Sequence, residues 1–150
     1  MGPTTPGNAG PTTPIENIMV PTLLEGHAVN NGLNFFEVII GRGHNRRVQE
    51  GDPMVHAEVD CLRNAGRIGS YRDCTLYSTL MPCFLCAGAV VQFRIPRVIV
   101  GESRTFPGAR EFMEAHGVTV IDYDLERCRL MMERFIQEYP DLWNEDIGEK

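Results

Sequence analysis

The sequence predicts an α/β domain of packed layers, with the later strands of its sheet running largely parallel. Strand-like runs at residues 75–79, 97–100 and 118–121 alternate at short intervals with helix-like segments, the pattern of βαβ units. Leu125, Cys128, Met131, Met132, Phe135 and Ile136 then recur at helical spacing, which closes the chain on an amphipathic helix. With 150 residues, 43% of them apolar and 23% charged, the chain can bury one substantial core.

In chain order, residues 1–14 are Gly, Pro and Thr-rich and carry no charge, so disorder is expected there. Residues 15–40 make an atypical N-terminal part. Within it, 16–26 reads as a short helix broken at Pro21, and Asn30-Asn31-Gly32 is a turn signal. Residues 35–40 read as a strand stopped by Gly41. Good helix formers fill 56–65 and end at Gly66, a suitable C-terminal cap. The strand at 75–79 delivers the chain to Pro82, which sits where a first-turn proline is tolerated ahead of a helix running to about Phe93. A strand at 97–100 closes at Gly101. A helix at 111–115 ends at His116-Gly117, before the strand at 118–121 and a helix from Asp124 onward. Internal repeats are absent.

The chemistry concentrates in His56-Ala57-Glu58 and Pro82-Cys83-Phe84-Leu85-Cys86. One imidazole and two thiols suit a zinc ion, and three protein ligands leave a tetrahedral ion one open position, as in catalytic sites. Cys83 and Cys86 lie three apart on one face at a helix start, where the positive end of the helix dipole favours thiolates. Glu58 stands two residues from the histidine, close enough to carry protons without ligating the metal. H-x-E followed by P-C-x-x-C is the general signature of zinc nucleobase deaminases.

Fourteen basic against twenty acidic residues give a net charge of −6, which argues against a nucleic-acid partner. Of five cysteines the zinc claims two, and Cys61, Cys74 and Cys128 read as buried reduced thiols. No stretch reaches transmembrane length and no basic-then-apolar signal pattern opens the chain. The expected compartment is the cytoplasm, with the nucleus open in a eukaryote.

From Gly41 to Gly148 the chain resembles the yeast-type cytosine deaminases, within the cytidine deaminase superfamily. Besides the two zinc motifs, the resemblance is carried by Gly41-Arg42-Gly43-His44-Asn45, Met81, Ala87-Gly88-Ala89, Ile95-Pro96-Arg97, Val100-Gly101-Glu102 and the tail Trp143-Asn144-Glu145-Asp146-Ile147-Gly148-Glu149. The zinc motifs specify the superfamily. The Trp-x-Glu-Asp-Ile-Gly-Glu ending narrows the match to the cytosine branch.

The resemblance implies a three-layer α/β/α fold with a mixed central sheet of about five strands and a zinc deaminase domain over 41–150. It implies one zinc per chain on His56, Cys83 and Cys86, and hydrolysis of cytosine to uracil and ammonia in pyrimidine salvage. Zinc lowers the pKa of its water to about 7. Glu58 would take that proton and pass it to the ring N3, and would then relay protons to the departing amine. Asn45 and the backbone N–H of Ala57 would meet the pyrimidine edge, with Met81 among the substrate contacts. Asp146 would meet a ring nitrogen, while Phe106 and Trp143 cover the base. A free base is then the expected substrate, and pairing of two copies through the zinc-helix face is implied. Asn144 departs from the family pattern, which has a second aromatic there.

A larger departure lies upstream. Relatives begin with an amphipathic helix and a Pro-Ile-Gly strand in the middle of the sheet, and residues 1–34 show neither. Either Gly26-His27-Ala28-Val29 is a shortened substitute paired with 35–40, or the segment is foreign and an interior strand is missing. Three functions follow: a cytosine deaminase, a deaminase of tRNA adenosine or a purine base, or an impaired member that binds zinc without turnover. Blander roles are expected elsewhere: His44 packs a loop, His27 and His116 lie on the surface, and Met113, Met131, Met132 and Phe135 are core. Arg42, Arg46 and Arg47 form a solvated loop.

Overall fold

The structure is a computed structural model that describes residues 22–30 and 34–149. Strand β1 (Thr22–Asn30) forms an antiparallel hairpin with β2 (Asn34–Gly43), in register from Thr22 opposite Gly43 to Asn30 opposite Asn34. A register shift falls between Leu24 and Glu25. On its other edge β1 pairs antiparallel with β3 (Cys74–Leu80), Leu24 opposite Leu76. Strands β4 (Arg97–Glu102) and β5 (Thr119–Asp122) follow in parallel, giving the order β2-β1-β3-β4-β5. The mixed five-stranded sheet implied by the resemblance is present.

The first strand corrects the N-terminal expectations. Over residues 22–26 the chain is strand, not helix, and the interior position is filled. An interior slot satisfies backbone N–H and C=O groups on both edges, and that outweighs a weak local helical preference. The missing-strand alternative is overturned. The disorder expected at 1–14 and the helical reading of 16–21 lie outside the described residues.

Two glycines expected to stop strands lie inside them, since β2 runs through Gly41 to Gly43 and β4 through Gly101. Their role is close approach. A Cβ on Gly43 would stand 2.1 Å from the Cys61 nitrogen and 2.3 Å from the Ala57 carbonyl oxygen of the helix α2 (Ala57–Ala65). One on Gly101 would stand 2.7 Å from Cys128 Sγ in α5 (Glu126–Glu138). Helix and strand backbones meet at these points without side chains between them.

Helix α2 packs on β1 and β2, and α3 (Phe84–Gln92) lies between α2 and α4 (Arg110–Ala115), which meets β5. Helix α5 packs on β4. Side chains alternate along β4: Val98 and Val100 join a core with Ala87, Val90 and Met113, whereas Gly101 faces Cys128. Helices therefore cover both faces of the sheet, the three-layer arrangement expected. Two short helices went unanticipated: α1 (Arg47–Glu50) and α6 (Pro140–Asp146), the latter with proline in its first turn. Among the expected core residues Met113 and Met132 are buried, but Met131 and Phe135 are half-buried. Cys61 and Cys74 are buried thiols, whereas Cys128 is half-buried, because its sulfur takes up the shallow space over Gly101.

Candidate active site

His56 is the N-cap of α2, Cys83 is the N-cap of α3, and Cys86 lies in the first turn of α3. Two helix N-termini thus converge beyond the C-terminal end of β3, which brings in Ser78 and Leu80. His56 Nδ1 stands 3.4 Å from Cys83 Sγ and 3.6 Å from Cys86 Sγ, and the three donor atoms lie within 4.8 Å of one another. A tetrahedral zinc with N and S ligands at their usual 2.0–2.1 and 2.3 Å holds those atoms about 3.5 Å apart. The donor set fits the ion.

The other ring nitrogen, His56 Nε2, is 2.7 Å from Asp146 Oδ1. A carboxylate on the far nitrogen fixes which nitrogen faces the metal and raises its basicity. Asp146 is held in turn: Arg47 Nε lies 3.1 Å from Oδ1, and Asn45 Nδ2 donates to Oδ2 at 3.1 Å. Arg47 is 7% exposed, reaches Glu145 at 3.6 Å and donates to the Leu142 carbonyl oxygen. Its backbone N–H donates to Asn45 Oδ1 at 3.2 Å. The solvated-loop reading of Arg47 is therefore overturned, because the acidic end of α6 needs a cation once docked. Arg46 is half-exposed and pairs with the buried Asp60, which also accepts the His44 N–H at 3.0 Å.

With only the protein's charges around it, burial pulls His56 down, but its contacts with Asp146 and Cys83 prevail and push it up to about 10. The Cys86 thiol beside Cys83 holds that residue down at about 4, with His56 assisting against burial. Cys86 is pushed far up, by Cys83 first and burial second. One thiolate is stabilised and the second waits for a cation, so metal loading should release protons.

Glu58 is buried, and desolvation pushes its carboxyl up. Its Oε2 is 3.4 Å from Cys86 Sγ, while Oε1 is 3.1 Å from the Ser78 hydroxyl, which also lies 2.8 Å from the Leu80 carbonyl oxygen. Glu58 sits beside the donor set without belonging to it, as the two-residue spacing anticipated.

A cavity of about 110 Å³ opens here, lined by Asn45, His56, Ala57, Glu58, Met81, Cys83, Phe106, Trp143 and Asp146. These are all the residues singled out from the sequence except Cys86, which is buried behind them. The Phe106 ring stands edge-on to Trp143 at 5.7 Å. The wall also includes Arg47, Val48, Ser78, Leu80, Met132, Phe135, Leu142 and Ile147. The two helical residues read as core, Met132 and Phe135, thus face the site, since an apolar pocket wall and a core share one periodicity. Arg47 had a signal: a cation two residues from Asn45 with an acidic tail to meet. Asn144 does not line the cavity.

A zinc donor set, a buried carboxylate beside it and a cavity walled by aromatics suit metal-assisted hydrolysis, and the relatives make the chain a zinc-dependent hydrolytic deaminase. The family described as the cytidine and deoxycytidylate deaminase zinc-binding region matches residues 35–102. The cytosine deaminase of Candida albicans is 41% identical over 115 residues, 75% of this chain and 77% of that one. A tRNA-specific adenosine deaminase of Buchnera aphidicola is 47% identical over 107 residues, 69% of this chain and 68% of that one. A solved tRNA:A34 deaminase superposes with a TM-score of 0.50 at 27% identity, covering 69% of this chain and 81% of that one. The chain belongs to the yeast-type cytosine deaminase family, within the cytidine and deoxycytidylate deaminase superfamily.

Asp146→Asn should weaken zinc binding roughly 10- to 100-fold, as the loss of a histidine's outer partner does. Competition with a chelator measures it, and an unchanged affinity would remove Asp146 from the metal's support.

Proposed function

We propose that this protein deaminates free cytosine to uracil and ammonia in pyrimidine salvage. The observation that carries the reading is α6, whose Asp146 contacts the zinc histidine while Leu142, Trp143 and Ile147 cap the cavity. A base fits beneath such a cap. A ribose or an RNA strand would crowd against these side chains.

His56, Cys83 and Cys86 would hold a zinc ion, which when bound would supply Lewis acidity and lower the pKa of water. The chain's own groups do the rest. Asn45 and the Ala57 N–H orient the pyrimidine edge, and Asp146 meets a ring nitrogen. Glu58 takes a proton from water and delivers it to N3 as oxygen bonds to C4; it then takes the second proton from that oxygen and gives it to the exocyclic amine, so that the C4–N bond breaks and ammonia departs. Phe106 and Trp143 exclude bulk water.

The 47% identity to a tRNA-specific adenosine deaminase supports a second reading, tRNA adenosine as substrate. The net charge of −6 and the capped cavity weigh against it. Ammonia release from cytosine, cytidine, adenine, guanine and tRNA separates the two. Turnover of cytosine is expected, and turnover of tRNA or a purine alone would overturn the proposal. The third reading, an impaired member that binds zinc without turnover, is weighed against by β1, which fills the sheet interior. Cys86→Ala should lose both zinc and turnover, because two ligands and a truncated side chain leave an open, weak site.

Pairing of two copies belongs to the same proposal. Phe84 on the zinc helix α3 is 71% exposed, with Phe112 of α4 edge-on beside it, an apolar face that a second copy would cover. Sedimentation of the purified protein as a dimer is expected. Three cysteines outside the zinc site, Cys61, Cys74 and Cys128, stand as free thiols and suit a reducing compartment, in keeping with a cytoplasmic enzyme. Among the described residues no helix is long and apolar enough to cross a membrane.

A further inference from the structure

Glu102, the last residue of β4, has no exposed surface and does not line the cavity. Burying a carboxylate is costly unless donors replace its water. Here they come from the turn that follows. The N–H groups of Arg104 and Thr105 donate to Oε2 at 2.8 and 3.0 Å, and the Thr105 hydroxyl donates to Oε1. The next residue is Phe106, the cavity wall that stands edge-on to Trp143.

The far side of Phe106 is fastened as well. Gly108, at φ +58°, approaches so closely that a Cβ would lie 2.5 Å from the Pro82 carbonyl oxygen, and that oxygen accepts the Ala109 N–H at 2.9 Å. The Glu102 carbonyl oxygen accepts the N–H of Met81, a second cavity residue, at 3.0 Å. One residue thus ties the approach to Cys83 to the turn that presents Phe106.

We propose that Glu102 is a positioning residue for the cavity: its carboxylate fixes the 103–106 turn so that Phe106 is held edge-on to Trp143 in the cavity wall. It acts through Phe106 on the fit of the substrate and takes no part in proton transfer. A buried apolar side chain would pack the same space at lower desolvation cost, yet it would leave two backbone N–H groups and a hydroxyl without acceptors. The proposal rests on the cavity being a base-binding site.

Trp143 is the single tryptophan, so its emission reports the wall with no substrate present. Glu102→Gln should keep its zinc, shift Trp143 emission to longer wavelength and raise its quenching by acrylamide roughly twofold. It should raise KM for cytosine roughly tenfold, the loss of one charged hydrogen bond, with kcat within roughly threefold of the parent. Thr105→Val removes one donor at constant volume and should move emission and KM the same way by a smaller factor, so it decides the matter if the Gln variant does not fold. In a Phe106→Ala background the effect of Glu102→Gln on KM should vanish. Unchanged emission, a KM effect that persists without Phe106, or a fall in kcat at constant KM would each overturn the role. A parent inactive on cytosine would sink the functional reading instead, and the emission and quenching measurements would still judge Glu102.

Discussion

Glu58→Gln is expected to bind one zinc per chain as tightly as the parent and to turn over cytosine about 10³-fold more slowly, or worse. General acid–base catalysis by one group supplies roughly 10² to 10⁴, and in the proposed reaction the same carboxylate acts twice, first as base and then as acid. Burial pushes its carboxyl upward. The amide is nearly isosteric and keeps an oxygen for Ser78, 3.1 Å away. The His56, Cys83 and Cys86 donor set does not include Glu58, so the metal should stay. Zinc content by atomic absorption alongside kcat tests both halves. A variant retaining more than about a tenth of parental kcat would remove Glu58 from the proton path.

The site was readable from the sequence because its chemistry demands particular residues at fixed short spacings. His56 and Glu58 share one helix start and Cys83 and Cys86 another, so local structure alone nearly builds the donor set. The tail residues Trp143 and Asp146 could be placed only by resemblance, since nothing local says that α6 returns across about a hundred residues to Asn45. Arg47 was misread for that reason. Its partners Asp146, Glu145 and the Leu142 carbonyl lie at the other end of the chain, and a loop arginine without visible partners reads as solvated. The first strand failed similarly: Thr22–Asn30 has modest strand propensity, and what makes it a strand is the pair of edges offered by β2 and β3. Helix and strand existence held where the apolar period was strong, and the boundaries slipped at glycines.

Those glycines lead to the second large effect. Gly43→Ala is expected to lower stability by about 3 kcal/mol or more, at the upper end of what overpacking costs. The added Cβ would stand 2.1 Å from the Cys61 nitrogen and 2.3 Å from the Ala57 carbonyl oxygen, both backbone atoms of α2, so no side chain can swing aside. Relief requires the whole helix to lift from β2. Helix α2 begins immediately after His56 and carries Glu58, so the lift moves His56 and Glu58 together. For a domain of this size the melting temperature should fall by roughly 6–12 °C. Zinc affinity should fall with it, because metal binding contributes only where the ligands are already placed. Calorimetry with and without excess zinc measures both. A variant that melts within about 2 °C of the parent would mean that α2 sits farther from β2 than this packing has it, and would loosen the geometry on which His56 and Glu58 depend.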